Sequence, residues 1–126
     1  MKSYTSLEQS KKLAEILPIE SADMGWNVFV DGTTRILPIN DWDLTKDGSG
    51  NVKFYHPWSL AALLGIIPYN VTFNKAVYRF KLVKFPDHWE CYHENFGAVS
   101  TEIFKADNPV DACVDMIIHL KEKNLL

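Results

Sequence analysis

The 126-residue sequence predicts an α+β fold in which an antiparallel sheet of about four to five strands is covered, mostly on one face, by three helices. Two observations lead to this prediction. Segments with apolar residues at helical spacing are interspersed with segments in which apolar and polar residues alternate one by one. Hydrophobic residues make up 47% of the chain, which is enough for one ordinary core without a metal or a disulfide. We therefore expect a single domain over residues 1–126.

The first helix is indicated by a capping-box sequence at residues 5–8 (TSLE), followed by apolar residues at helical spacing. In this pattern Thr5 is the predicted N-cap and Glu8 is its reciprocal partner. Pro18 is expected to end the helix, because proline lacks the amide hydrogen that the helix needs.

A β-hairpin is predicted next, at residues 26–30 and 35–39. The two segments flank an Asp-Gly pair, which supplies the positive φ of a tight hairpin turn. Because Pro38 has no amide donor, the second strand should be short or lie at a sheet edge.

Residues 57–67 predict a central helix that is apolar nearly all round. Such a helix is expected to be buried on most sides or covered by a partner. Its small residues Ala61, Ala62 and Gly65 fall on one face, where another backbone could approach closely.

The last third of the chain predicts strands followed by a helix. Residues 71–73, 77–85 and 88–94 are strand-like, the last two by alternation, and 101–104 could add a short strand. A final helix is expected after Asn108, which can serve as N-cap with a proline at the first helical position.

The charge balance and hydropathy exclude several classes of function. Thirteen Lys and Arg against sixteen Asp and Glu give a net charge of -3, so no global positive field draws the protein to nucleic acid or to an anionic membrane. No apolar run approaches the ~18–20 residues that span a bilayer. The first twelve residues lack the apolar segment of a secretory signal, so we expect a cytoplasmic protein.

The polar segment 40–51 has part of the spacing of a calcium-binding EF-hand loop. Gly48 stands at loop position six, and oxygen-bearing residues stand at positions one, three, five and nine: Asp43, Thr45, Asp47 and Asn51. Position twelve is Phe54 instead of the bidentate glutamate, so we interpret the segment as a polar turn.

Cysteine and histidine residues suggest chemistry only weakly. Cys91 and His93 are two apart in a predicted strand and could reach one metal ion, but a structural zinc site needs four ligands. We therefore expect a reduced, partly buried thiol at Cys91, a second reduced thiol at Cys113 and a hydrogen-bonded histidine. Asp115 and His119 are spaced as an exposed helical pair. The sequence contains no catalytic constellation, so we expect neither an enzyme nor a cofactor.

Positive charge is concentrated in residues 70–85. This segment holds four cations and no acid: Lys75, Arg79, Lys81 and Lys84. Interleaved aromatics such as Tyr78 are typical of strands that bind single-stranded nucleic acid by stacking and phosphate neutralisation. However, Glu90 and Glu94 lie on the next predicted strand, where they can pair with Arg79 and Lys81. We expect this internal pairing.

Three segments together resemble a family of small uncharacterised proteins of gut-bacterial prophages and mobile elements. They are residues 5–24 (TSLEQSKKLAEILPIESADM), 57–68 (PWSLAALLGIIP) and 108–126 (NPVDACVDMIIHLKEKNLL). The resemblance covers about half of the chain. It implies a bacterial cytoplasmic setting and a phage-related accessory role, and it brings no activity, cofactor or active-site residue.

These observations favour a non-enzymatic interaction or accessory protein whose partner is another protein or a second copy of itself. Its abundant Trp and Tyr are residues enriched in binding hot spots. On this hypothesis the contact residues lie on the central helix: Trp58, Ala61 and Gly65. The alternative is a nucleic-acid-binding accessory protein that uses the basic strand 75–84, with contacts from Lys75, Tyr78, Arg79 and Lys81.

Overall fold

A computed structural model describes residues 2–29, 34–38, 52–55, 57–99 and 102–126. The predicted α+β class is confirmed. In chain order the described elements are α1 (Leu7–Ala14), a 3-10 turn (Ile19–Ser21), β1 (Met24–Phe29), β2 (Thr34–Pro38), β3 (Val52–Tyr55), α2 (Leu60–Ile66), β4 (Asn70–Phe73), β5 (Ala76–Lys84), β6 (Trp89–Asn95), β7 (Ala98–Val99), β8 (Phe104–Ala106) and α3 (Pro109–Glu122). The Asp/Gly loop at 40–51 and the Asp-Gly hairpin turn lie outside the described residues.

The larger sheet has five antiparallel strands in which β5 and β6 are central. β4 pairs with β5, β5 pairs with β6, and the far edge of β6 is divided between β7 and β8. Along β5, Tyr78, Phe80 and Leu82 are more buried than the residues between them, as their alternation predicts. The sheet therefore has one core face and one solvent face.

The predicted hairpin forms a second, smaller sheet. β1 pairs with β2 in the antiparallel direction, and β3 adds to the other edge of β1. Pro38 lies at the end of the edge strand β2, as its missing amide donor requires. The hairpin thus does not join the five-stranded sheet.

The core lies between the larger sheet, α2 and α3. Its buried apolar side chains come from both helices, β6 and the N-terminal segment: Leu13, Leu17, Ala22, Trp58, Leu63, Ile67, Cys91, Val110, Ala112, Cys113, Val114, Met116, Ile117 and Leu120. The buried residues of α3 form an apolar stripe at helical spacing, which Ala112 and Met116 widen: Val110, Cys113, Val114, Ile117 and Leu120. The amide of Asp111 donates to the Asn108 side chain over 2.9 Å, which confirms the predicted N-cap.

The cap of α1 differs from the prediction by one residue. Ser6, not Thr5, accepts the amide of Gln9 over 3.2 Å, and the Gln9 side chain accepts the Ser6 amide over 2.9 Å. Thr5 is fully buried, and its hydroxyl accepts the amide of Trp58 over 3.0 Å. The Thr5 side chain is therefore used in a contact with Trp58, and the adjacent Ser6 serves as the N-cap of α1. Within the described residues α1 ends at Ala14, ahead of Pro18.

Polar contacts fasten the N-terminal segment to both of the other helices. The Trp58 indole donates to the Ser21 hydroxyl over 2.9 Å, and the Asp23 carboxylate accepts the amide and the hydroxyl of Ser59, the N-cap of α2. Lys2 Nζ lies 2.7 Å from the Asp111 carboxylate of α3, and the Gln9 side-chain amide donates to the same oxygen over 2.7 Å. Residues 2–23 are thus part of the same packed unit as α2 and α3.

Candidate functional site

The turn between β6 and β7 is one of two hairpin turns in the described residues that have positive φ at both central positions; the other is Asn74-Lys75, between β4 and β5. Phe96 and Gly97 form a two-residue loop between Asn95 and Ala98, which are register partners. The φ angles are 46° at Phe96 and 86° at Gly97. Positive φ at both central residues is the type I′ geometry that matches the twist of a hairpin. Glycine adopts it freely, whereas at Phe96 it costs about 1 kcal/mol.

The Phe96 side chain is fully exposed, at 104% of the reference area. It therefore gains no packing energy in the folded chain that would offset its backbone conformation. Asparagine is the common residue at this position of a type I′ turn. A large aromatic side chain held in solvent at a strained position is a feature of contact surfaces.

A groove of about 350 Å³ opens beside this turn on the solvent face of the sheet. The Asn95 side-chain amide donates to the carbonyl of Val77 over 2.7 Å and fixes this end of the sheet. Val99, the register partner of Glu94, adds a further exposed apolar side chain. We call the groove residues and Val99 the Phe96 surface: Val77, Arg79, Lys81, Glu94, Asn95, Phe96 and Val99.

The charges of the Phe96 surface are only partly paired. Glu94 is the register partner of Arg79, but its carboxylate lies 3.9 Å from Lys81 Nζ. Arg79 makes no ion pair within the described residues. Lys75 lies in the β4–β5 turn, at the same end of the sheet. The predicted internal pairing is therefore confirmed for Lys81 and Glu94 and wrong for Arg79, so the surface keeps an excess of positive charge.

Glu90, the other acid expected to pair with the basic strand, has different partners. Its carboxylate lies 2.6 Å from His88 Nε2 and 4.0 Å from Lys105 Nζ. The second ring nitrogen of His88 contacts Asp87 over 2.7 Å. Hydrogen bonds to Glu90 and Asp87 raise the pKa of His88. This cluster lies at the opposite end of β6 from Phe96.

The residues predicted to contact nucleic acid are divided between the two faces of β5. Arg79 and Lys81 are exposed on the solvent face. Tyr78 is instead paired with the buried Val71 and lies on the core face, because successive side chains of a strand point to opposite sides. Tyr78 therefore does not share the solvent face of Arg79 and Lys81.

The predicted contact residues of α2 are also divided. Trp58 has no exposed surface and belongs to the core, so it is not a contact residue. Ala61 and Gly65 lie on the exposed side of the helix with Leu64, and a Cβ atom added at Gly65 would meet nothing within 4 Å. The helix is thus open on one side, where the sequence indicated burial or a partner.

Cys91 and His93 are held in the core by separate contacts. The Cys91 thiol donates to the carbonyl of Ala112 over 3.3 Å, and the neighbouring Cys113 thiol and burial raise the pKa of Cys91 well above its ordinary value. Nε2 of His93 lies 2.8 Å from the carbonyl of Pro68, and burial lowers the pKa of His93. Both cysteines are free and buried. In the described ranges no three His, Cys, Asp or Glu side chains form a group that could hold a metal ion.

Of the pair that the sequence predicts to be exposed, Asp115 is exposed, whereas His119 is half-buried. The His119 ring packs against Phe104 of β8, with ring centres 5.3 Å apart, and its Nε2 is buried without a hydrogen-bond partner among the described atoms. The strand β8 covers a side of α3 that helical spacing alone assigns to solvent. Burial raises the pKa of Asp115, with a further contribution from Asp111.

Phe96 was not among the sequence candidates, although a signal exists. The dipeptide Phe96-Gly97 follows the alternating segment 88–94, and an X-Gly pair after a strand predicts a two-residue hairpin turn. The exposure of the ring depends on the tertiary structure and cannot be read from the pattern.

No protein-family model matches this chain, and neither does any curated protein or solved structure. No helix in the described part of the chain has the length and apolar character needed to cross a membrane. The function therefore has to be inferred from the surface itself.

Proposed function

We propose that this protein is a non-enzymatic, cytoplasmic accessory protein that binds a partner protein through the Phe96 surface. The setting that its sequence resemblance implies, a prophage or mobile element of a gut bacterium, agrees with such a role. The proposal depends on one observation, the complete exposure of Phe96 in a left-handed turn conformation.

The energetics of this position support a binding role. Phe96 destabilises the free chain by about 1 kcal/mol relative to a residue suited to the turn. Burying a phenylalanine side chain in a partner's pocket contributes about 1.5–3 kcal/mol. The aromatic ring is therefore unfavourable for folding alone and favourable once a partner covers it.

The surroundings of Phe96 also suit a protein interface. Val77 and Val99 are exposed on the same face and extend the apolar area, and the Arg79 guanidinium group makes no ion pair with the part of the chain that the structure describes. Phenylalanine and arginine are both enriched in interface cores relative to the rest of a protein surface. A two-residue turn holds the ring in one place before binding, which reduces the entropy lost on association.

The proposal is tested by affinity capture from the native host with three baits: the wild-type chain, Phe96→Asn and Tyr69→Asn. Tyr69 is 63% exposed and follows α2, so its variant is a matched loss of a surface aromatic elsewhere. We expect a protein that is retained by the wild type and by Tyr69→Asn but lost from Phe96→Asn. Thermal unfolding of each bait establishes that all three are folded. Equal retention by all three baits, or loss only from Tyr69→Asn, would contradict the proposal.

A second candidate function, binding of single-stranded nucleic acid, is favoured by one observation. Phe96, Arg79 and Lys81 line the same groove, and an aromatic ring beside two cations can stack a base and neutralise phosphates. Glu94 lies in that groove as well, and the whole chain carries a net charge of -3. Fluorescence anisotropy with labelled oligo(dT) at ~50 mM salt tests this candidate, and no binding there eliminates it.

A further inference from the structure

On the basis of the proposed function, we infer that the partner presents an acidic segment to the Phe96 surface. In this arrangement a carboxylate of the partner pairs with Arg79 and an apolar side chain of the same segment packs against Phe96. The inference names the chemistry of the partner, which the proposed function leaves open.

The guanidinium group of Arg79 lies on the solvent face of the sheet, beside Glu94. The register places Glu94 directly opposite, yet the Glu94 carboxylate makes its ion pair with Lys81. Arg79 is exposed and has no ion pair within the described residues. Guanidinium groups form bidentate, charge-assisted hydrogen bonds with carboxylates, so a carboxylate is the group that best completes this site.

The charge around the groove also favours an acidic partner. Of the charged side chains that line the groove, Arg79 and Lys81 are cationic and Glu94 is anionic. Lys75 adds a positive charge in the turn at the same end of the sheet. This end is therefore positive, although the chain as a whole has a net charge of -3. Such a surface attracts an acidic partner and repels a basic one.

The size and the lining of the groove suit a short peptide segment. A volume of about 350 Å³ is within the range of sites that hold organic groups, and it exceeds what a single ion requires. Val77 and Phe96 supply apolar walls, and Arg79 supplies the charge. A short peptide segment with one apolar and one acidic side chain fits both features.

Phosphates of a nucleic acid fit this surface less well than carboxylates of a protein. If three cations at this end neutralise three phosphates of a single strand, the logarithm of the binding constant falls with the logarithm of the salt concentration with a slope of about -2. Such a small counterion release corresponds to weak binding. Glu94 in the groove and Glu90 further along the same face of β6 would also repel a phosphate chain that crosses the sheet. We therefore favour a protein segment.

The experiment is a selection of random twelve-residue peptides on the immobilised wild-type protein, with prior depletion on Phe96→Asn. We expect the enriched peptides to be acidic and to contain at least one large apolar residue. Their affinities are then measured for Arg79→Glu, Arg79→Gln and the exposed control Lys123→Glu, which makes the same change in charge as the first. Arg79→Glu should weaken binding about tenfold or more and Lys123→Glu less than twofold. Arg79→Gln adds no repulsion next to Glu94. The peptide affinity of this variant can therefore still be measured if Arg79→Glu unfolds the sheet.

The outcomes separate the inference from the proposed function. Neutral or basic peptides that depend on Phe96 would overturn the acidic partner and leave the binding surface standing. The absence of any peptide that distinguishes the wild type from Phe96→Asn overturns the inference. If labelled oligo(dT) then binds in a Phe96-dependent manner, the proposed protein-binding function fails as well, and the nucleic-acid candidate replaces it.

Discussion

Replacement of Phe96 by asparagine should make the protein more stable while it abolishes binding. The change keeps a side chain at φ 46° but substitutes the residue type that most readily adopts a left-handed conformation. Asn-Gly is also the commonest type I′ pair. Because the phenyl ring is fully exposed, its removal sacrifices no packing. We expect the free energy of unfolding to rise by about 1 kcal/mol.

Thermal and urea unfolding followed by circular dichroism measure this change. For a chain of this length, 1 kcal/mol corresponds to an increase in Tm of about 3–5 °C. The control is Gly97→Ala in the same turn. A Cβ atom there meets nothing within 4 Å, so the only penalty is the φ angle of +86°, and stability should fall by about 1–2 kcal/mol. A lower Tm for Phe96→Asn would refute the assigned turn or the exposure of the ring.

Three further predictions concern the core, the N-cap of α3 and the histidines. Ile117→Ala removes a fully buried side chain and should cost about 2–5 kcal/mol in urea unfolding. Asn108→Ala removes the side chain that accepts the Asp111 amide and should cost about 1 kcal/mol, whereas Asn108→Ser should retain most of the stability. In an NMR titration, His93 should titrate below the ordinary pKa of 6.5 and His88 above it. Because the pKa of His93 is lower in the folded state than in the unfolded state, the unfolded chain binds more protons below pH 6.5. The free energy of unfolding should therefore fall as the pH drops below 6.5. His93→Gln should remove the part of this decline that comes from His93.

The elements that the sequence predicts well are those whose signals are local. The cap of α3 at Asn108 needs only the residues that follow it, and the alternation along β5 needs only that one face of a sheet is buried. Both predictions are confirmed because no tertiary contact competes with them.

Two predictions that are wrong, those for Thr5 and His119, depend on contacts between distant segments. Thr5 and Ser6 are both good N-caps, and the choice between them is made by the Trp58 amide, which takes the Thr5 hydroxyl. His119 faces solvent on an isolated helix and is covered only because β8 lies there. The exposure of Phe96 also depends on distant segments. A turn pattern indicates where the chain reverses but does not indicate whether an aromatic ring at the turn is packed.

The contacts between Lys2, Gln9 and Asp111 have a consequence for the synthesis of the chain. Lys2 and Asp111 are separated by 109 positions, so the ion pair requires α3 to have left the ribosome. Closing so long a loop is entropically unfavourable and comes late in folding. The contacts of Thr5 and Asp23 with residues 58 and 59 span 53 and 36 positions, so they can form before those of Lys2 and Gln9 with Asp111. The native contacts of α1 are therefore complete only after translation has passed α3.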